Sequence, residues 1–335
     1  MIELTPDNVL DYLRRSGRIG PGPARVTPFG WGVSNAVFRI ETPEGLFVLK
    51  QSRPQLRTRD LWLSDLDRVY REQEVMELLH PLLPEPTVPA VLFADRPNYV
   101  FAMSHAPLES RVWKESLLAG EVDLALGERA GRVLGRMHQA TAANRAAVEP
   151  FRDHTVFVQL RVDPFYRCIQ ERRPEVANAV SPLIDQLLSV KEALCHGDYS
   201  PKNILTHSQG FTLVDYETAH LGDPTMDLGF LLSHLVLKAL KHSAERGRYF
   251  ELTRAVWRGY GEEVRFRPLT ELELRGSGHF AVCLLARIDG TSPVDYLPEE
   301  PKREAARRLG RRVLLDGIRA WEEVLSLAEE EFRSM

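Results

Sequence analysis

Apolar residues along this chain change their spacing twice, and those changes outline its architecture. The opening residues, MIELTPDNVLDYLRRSG, have the spacing of an amphipathic surface helix. The Gly/Pro-rich stretch Gly17 to Pro23 breaks that period and predicts a loop leading into a sheet. Two short β-rich runs follow, Ala36 to Ile40 and Leu46 to Lys50, joined by the turn-forming Thr42-Pro43-Glu44-Gly45 into a hairpin. From about Leu61 to Leu79 the apolar positions Leu66, Val69, Val75, Leu78 and Leu79 lie among charges, which predicts an amphipathic helix packed on that sheet; Pro81, Pro84, Pro86 and Pro89 end it. Ala90 to Ala94 and Asn98 to Met103 are two more expected strands around the turn Asp95-Arg96-Pro97.

From about Glu121 the pattern is largely helical, with segments expected near 121–141, 164–172, 178–190, 224–242, 248–261, 270–288 and 299–331. Only 193–215 interrupts it, with short apolar runs at Ala193 to Cys195, Ile204 to Thr206 and Phe211 to Val214 between polar loops. A small sheet with one main helix, followed by a mostly helical remainder, is an α+β arrangement, and 335 residues suffice for two lobes.

Composition narrows the function classes. The residues are 44% hydrophobic and 27% charged with a net charge of −4, and both signs are interspersed, so nothing marks a nucleic-acid binder. Cys168, Cys195 and Cys283 are far apart and in no CxxC spacing, which encodes neither a disulfide framework nor a zinc site and suits buried thiols in a reducing cytosol. The most apolar run, Leu228 to Leu240, is interrupted by Ser233, His234 and Lys238 and is too short to span a bilayer. The start has no apolar signal-peptide core, so a cytoplasmic protein with no membrane partner is expected.

The chemistry-bearing segment is Cys195-His196-Gly197-Asp198-Tyr199-Ser200-Pro201-Lys202-Asn203, followed by Leu213-Val214-Asp215-Tyr216-Glu217. An Asp in a tight loop, an Asn five positions on and a second Asp beyond a short hairpin supply three oxygen-bearing side chains. Phosphoryl transfer needs such a set, because metal ions bridging phosphate oxygens take hard oxygen ligands while a separate carboxylate orients the acceptor hydroxyl. The Asp198 to Asn203 spacing is that of the protein-kinase catalytic loop, and Asp215 stands where the metal-binding Asp of such kinases follows. A lone His-Gly-Asp is equally ordinary turn chemistry, and His196 itself is expected to support the loop backbone.

This constellation, with Gly222-Asp223-Pro224-x-x-Asp227 downstream, resembles the aminoglycoside phosphotransferase and choline kinase superfamily over about the first two thirds of the chain. The resemblance implies a bilobal protein-kinase-like fold, with a nucleotide-binding lobe at 1–104 and a catalytic and acceptor-binding lobe at 105–335. It implies ATP as donor, with GTP as the alternative, together with Mg²⁺ and transfer of the γ-phosphate to a hydroxyl of a small polar metabolite. Asp198 would be the catalytic base, Asn203 and Asp215 the metal ligands, and Asp227 a brace on the catalytic loop. The alternative is a nucleotide-binding pseudo-kinase or regulatory module without turnover.

The upstream half offers matching parts. Phe29-Gly30-Trp31-Gly32-Val33-Ser34-Asn35 opens the first hairpin, where Gly30 and Gly32 permit close approach to phosphate and Ser34 and Asn35 complete the turn. Lys50 closes a strand in the manner of the kinase lysine that contacts phosphates. Glu72, with Glu74 and Glu77 as alternatives, is the expected anion for that lysine, and the segment around Met103 is the expected backbone contact for the purine ring. For the acceptor, Arg287 to Leu297 is either a helix corner or a substrate loop, and Asp223 either touches substrate or caps a helix. Gly197, where choline kinases have Asn, departs from that branch. Neither an acidic aminoglycoside pocket nor an aromatic choline cage is written in the sequence.

Overall fold

The structure, a computed structural model, describes residues 2–29, 35–53, 66–333 and 335. Gly30, Trp31, Gly32, Val33 and Ser34 of the glycine-rich segment, and 61–65 of the expected helix, lie outside the described residues. The chain forms two compact units. The first comprises Met1–Ser110 with His207–Thr218, and the second Arg111–Thr206 with Ala219–Met335.

The first unit is built on a five-stranded antiparallel sheet of β1 (Arg25–Pro28), β2 (Asn35–Thr42), β3 (Gly45–Ser52), β4 (Val91–Asp95) and β5 (Val100–Ser104), in the order β1-β2-β3-β5-β4. Helix α1 (Val9–Arg15) closes one side, where Val9, Tyr12 and Leu13 join Phe38, Ile40, Leu49, Val100 and Ala102 in one buried cluster. Side chains alternate across a strand, so Lys50, next to Leu49, points to the other face. There α2 (Arg68–Leu79) packs on β3 and β5 and buries Val69, Glu72, Val75, Met76 and Leu79. β1 was not expected from the sequence; as a four-residue edge strand with exposed ends it carries little periodic signal.

The second unit is mostly helical. Its centre is the Thr225–Lys241 helix, buried from Thr225 through Leu240 and packed against Arg246–Glu263 and Leu269–Asp289, with Leu124–Ala143 lying on Arg246–Glu263. The Leu124–Ala143 and Arg246–Glu263 helices cross so closely that a Cβ at Gly131 would sit 2.0 Å from the Val256 carbonyl oxygen, and one at Gly259 2.0 Å from that of Glu128. Only glycine permits this approach. Short strands Ala193–Cys195 and His220–Gly222 pair antiparallel and hold the loop between them in register, with Cys195 opposite His220.

Two sequence expectations need correction. The helix expected over 299–331 is two helices, Glu300–Leu315 and Trp321–Glu331, parted at Gly317, whose φ of 69° is the left-handed conformation that stops a helix. The segment expected near 164–172 begins earlier, as a π-helical stretch Val158–Arg167 running into Cys168–Arg172. Pro164 inside that stretch has no N–H to give to an α-helical ladder, which favours the wider winding. All three cysteines are free and buried, and among the described residues no helix is long and apolar enough to cross a membrane.

Candidate active site

In the first unit, strand alternation and the face of α2 bring a buried charge cluster together. The Lys50 ammonium lies 2.5 Å from Glu72 Oε2 and 2.9 Å from Asp215 Oδ1. Of the three glutamates on α2, Glu72 alone reaches Lys50: Glu74 pairs with Arg96 at 2.6 Å, and Glu77 is exposed and accepts from Gln73. Asn35 Nδ2 donates to Glu217 Oε2 at 2.8 Å, and the fully buried Arg68 lies 3.3 Å from the same oxygen. Arg68 also donates to the Arg53 carbonyl. No sequence signal separated Arg68 from an ordinary helix-face arginine.

The electrostatics follow from burial and count. Burial alone disfavours an ammonium, yet Asp215, Glu72 and Glu217 together outweigh it and hold Lys50 above its usual value. Glu72, wholly buried and sharing its cation with Asp215, is pushed up to about 7 by burial against the pull of Lys50. Among the described residues three carboxylates (Glu72, Asp215, Glu217) and two cations (Lys50, Arg68) meet in this cluster. Asp215 has a φ of 72°, a conformation that costs a non-glycine residue on the order of 1 kcal/mol and persists only where the surroundings impose it.

Met103 lies in β5, paired with Val48 of β3 and Val91 of β4, with its side chain buried. Phe29, just before the glycine-rich segment, stacks on His105 with ring centroids 6.5 Å apart.

In the second unit, the loop after Cys195 is held by a single carboxylate. Asp227, at the start of the Thr225–Lys241 helix, accepts the backbone N–H groups of His196 (2.7 Å) and Gly197 (2.8 Å). His138 Nε2 lies 3.2 Å from the same side chain, and Tyr260 Oη, 3.1 Å from Nδ1, completes the chain. Burial opposes the Asp227 charge, but these donors, led by His138, hold its carboxyl below the ordinary range. Gly197 turns with φ 75°, which carries the chain sharply into Asp198. The Asp198 N–H then donates to His196 Nδ1 at 3.2 Å, so the histidine supports the loop from within.

Asp198 is buried and its Oδ2 sits 2.8 Å from both Arg161 Nη2 and Lys202 Nζ. Arg161 comes from the π-helical stretch and also donates to the Gly197 carbonyl at 2.7 Å. Sequence reasoning missed it, since an arginine 37 positions upstream carries no local motif. Asn203 donates its Nδ2–H to the Asp198 carbonyl at 2.9 Å, which leaves its Oδ1 as the atom with which it can bind a ligand. Asp223 is a helix cap: its Oδ1 accepts from the Thr225 N–H (3.0 Å) and hydroxyl (2.7 Å) and lies 2.5 Å from Arg275. Asp289 is clamped by Arg173 and Arg307, which makes the start of the 287–297 segment a pinned helix corner.

Comparison with known proteins fits this arrangement. The phosphotransferase enzyme family matches residues 25–269, about three quarters of the chain. A methylthioribose kinase of Pectobacterium atrosepticum is 25% identical over 311 residues, covering 81% of this chain and 76% of its own. Among solved structures, an amicoumacin kinase in complex with AMP-PNP and Ca²⁺ aligns with a TM-score of 0.57 at 13% identity, covering 95% of this chain and 97% of that one. An ethanolamine kinase of Plasmodium vivax aligns with a TM-score of 0.55 at 9% identity, covering 97% and 89%. At such identities the structural likeness speaks for the kinase-like α+β fold, while the family match and the curated relatives speak for the reaction. The chain therefore belongs to the phosphotransferase enzyme family and is an ATP-dependent small-molecule kinase that phosphorylates a hydroxyl group.

Proposed function

We propose that the first unit binds the nucleotide and the second presents the acceptor, with Asp198 as the residue that aligns the acceptor hydroxyl and takes its proton. Lys50, set by Glu72, neutralises the nucleotide's phosphates; the backbone around Met103 meets the base, and Gly30, Gly32, Ser34 and Asn35 form the phosphate cover. Asn203 and Asp215 are the proposed ligands of Mg²⁺. The donor chemistry suits a hard cation: Asn203 has a carbonyl oxygen to offer and Asp215 is a carboxylate. When bound, such an ion supplies charge stabilisation on the phosphate oxygens.

The observation that carries this reading is the loop around Asp198. Its backbone is fixed by Asp227 and its carboxylate by Arg161 and Lys202 before any substrate arrives. Arg161 and Lys202 fix where the Asp198 carboxylate points. Such positioning supplies most of the rate where the transition state is loose and the nucleophile is deprotonated late. The relatives direct attention to methylthioribose as one acceptor to try.

The test is Mg-ATP-dependent ADP release with a panel of hydroxyl acceptors, wild type against Asp198→Ala. Loss of about 10²–10⁴-fold in kcat, with AMP-PNP binding retained, is expected for a positioned proton acceptor. An Asp198→Ala enzyme that turns over at the wild-type rate overturns the assignment.

A further inference from the structure

The Thr225–Lys241 helix is apolar almost throughout, yet it buries a lysine. Lys238 has no measurable exposure, and among the described residues its ammonium donates only to the His234 carbonyl one turn back, at 3.2 Å. Among the described residues no carboxylate lies within ion-pair distance of it. What surrounds it is more positive charge and one aromatic ring. Lys238 Nζ stands 5.3 Å from the centre of the Tyr296 ring, and Lys114 Nζ stands 5.8 Å from the same ring. Arg287, at the end of the Leu269–Asp289 helix, makes no ion pair among the described residues, its Nε is buried without a hydrogen-bond partner, and so is the Tyr296 hydroxyl.

This group is continuous with the Asp198 loop. Arg161, paired with Asp198, places its guanidinium 5.8 Å from the rings of both Phe165 and Phe230. The Phe230 ring is 5.0 Å from that of His234, which lies one turn before Lys238. Five cationic side chains thus share one neighbourhood: Lys114, Lys202, Lys238 and Arg287 act on His234, and Arg161 and Asp198 act on Arg287, with Asp198 already engaged by Arg161 and Lys202. The other acid near them, Asp295, is exposed. Burial and then the charges of Lys114 and Arg287 push Lys238 down to about 7.

An isolated buried charge is among the costliest features of a folded chain, so a buried lysine without a carboxylate partner gives up its proton readily and holds it once an anion is brought to it. We propose that Lys238, Arg287, Lys114 and the Tyr296 hydroxyl form a subsite for an anionic group, carboxylate or phosphate monoester, on the hydroxyl-bearing acceptor. This rests on the kinase reading above and deepens it by naming the charge of the substrate. Cationic acceptors such as aminoglycosides or amino alcohols are repelled by the same cluster.

The experiment is isothermal titration of the enzyme saturated with AMP-PNP and Mg²⁺, so that nucleotide and its phosphate contacts are already in place. Matched pairs differing in charge serve as probes: D-glycerate against glycerol, ribose 5-phosphate against ribose, with methylthioribose and ethanolamine as further neutral and cationic arms. Binding at least about tenfold tighter for an anionic member than for its neutral partner is expected, and the pair that responds tells carboxylate from phosphate. Lys238→Met, which exchanges an ammonium for an apolar side chain of similar length, and Arg287→Met should each remove that difference while leaving neutral probes unchanged. An unchanged or raised Tm of Lys238→Met without ligand confirms that the variant is folded. Equal affinity within both pairs, failure of every anion to bind, or an anion preference that survives both substitutions overturns the subsite. Failure of AMP-PNP itself to bind would instead count against the kinase reading, whereas ADP release on a neutral acceptor together with equal affinity within both pairs would keep that reading while removing the anionic one.

Discussion

Asp227→Asn isolates the brace of the loop that carries Asp198, because it keeps the shape of the side chain and exchanges one accepting oxygen for an NH₂ donor. In the wild type both oxygens of this fully buried carboxylate accept backbone N–H groups, from His196 at 2.7 Å and Gly197 at 2.8 Å, and His138 adds a third contact at 3.2 Å. The amide can accept only one of the two backbone bonds and turns a donor toward the other. A hydrogen bond to a charged acceptor is worth about 1.5–3 kcal/mol, and a buried donor left unsatisfied costs a similar amount. A net loss of about 3 kcal/mol follows, or a fall in Tm of roughly 6–12 °C at about 2–4 °C per kcal/mol. The loop that carries Asp198 loses its anchor at the same time, and a displacement of about 1 Å at a reacting group costs on the order of 10² in rate. Thermal unfolding and ADP-release kinetics measure the two effects separately, with kcat falling and the KM for ATP nearly unchanged. The charge also has a pH signature. The folded pKa lies below the ordinary 3.8, so the stability it confers is complete above about pH 4 and is lost as pH falls through the folded value. The Asn variant should therefore lack that part of the acid limb. A variant that melts within about 1 °C of wild type and keeps its kcat would refute the bracing argument.

Other expectations follow from the buried charges. Lys50→Met leaves Glu72 and the carboxylates beside it without their ammonium and should destabilise by about 3–5 kcal/mol while weakening AMP-PNP binding; Glu72→Gln, which keeps Lys50 paired with Asp215, should cost less, as comparative melting and nucleotide titration would show. Burial pulls His279 down to about 4, against Asp223 and with Arg275, and Tyr166 and Gln186 contact its ring nitrogens. Its folded pKa is lower than its unfolded one, so its contribution is complete above pH 6.5 and is lost as pH falls toward 4, roughly 3 kcal/mol in all. His279→Gln should flatten the stability profile across that window, and an unaltered slope would remove His279 from the account.

The segment proposed to carry catalysis stood out because its residues are close in sequence: His196-Gly197-Asp198 with Asn203, then Asp215, is a local pattern whose spacing is visible without the fold. Strand period likewise placed Lys50 opposite Leu49, and helix period placed α2 on the sheet. Legibility ended where partners are distant. Glu72 was the expected partner of Lys50 with Glu74 and Glu77 as alternatives, and only packing separates them, turning Glu72 toward Lys50, Glu74 toward Arg96 and Glu77 toward solvent. Arg161 reaches Asp198 from a π-helical stretch whose winding no periodicity announces. The break at Gly317 fell inside an uninterrupted amphipathic pattern, because a single glycine is tolerated in many helices.

Lys238 shows the division most clearly. The sequence determined that a lysine interrupts an apolar helical run, and at that level it is only an interruption. Tertiary structure decided that the helix is buried around Lys238, that Lys114 and Arg287 come to the same place from other helices, and that among the described residues no carboxylate pairs with Lys238. Helices and strands arise from interactions a few residues apart, which a sequence displays directly. The charge of a binding site is a sum over side chains whose separation along the chain bears no relation to their distance in space, and only the packed chain performs that sum.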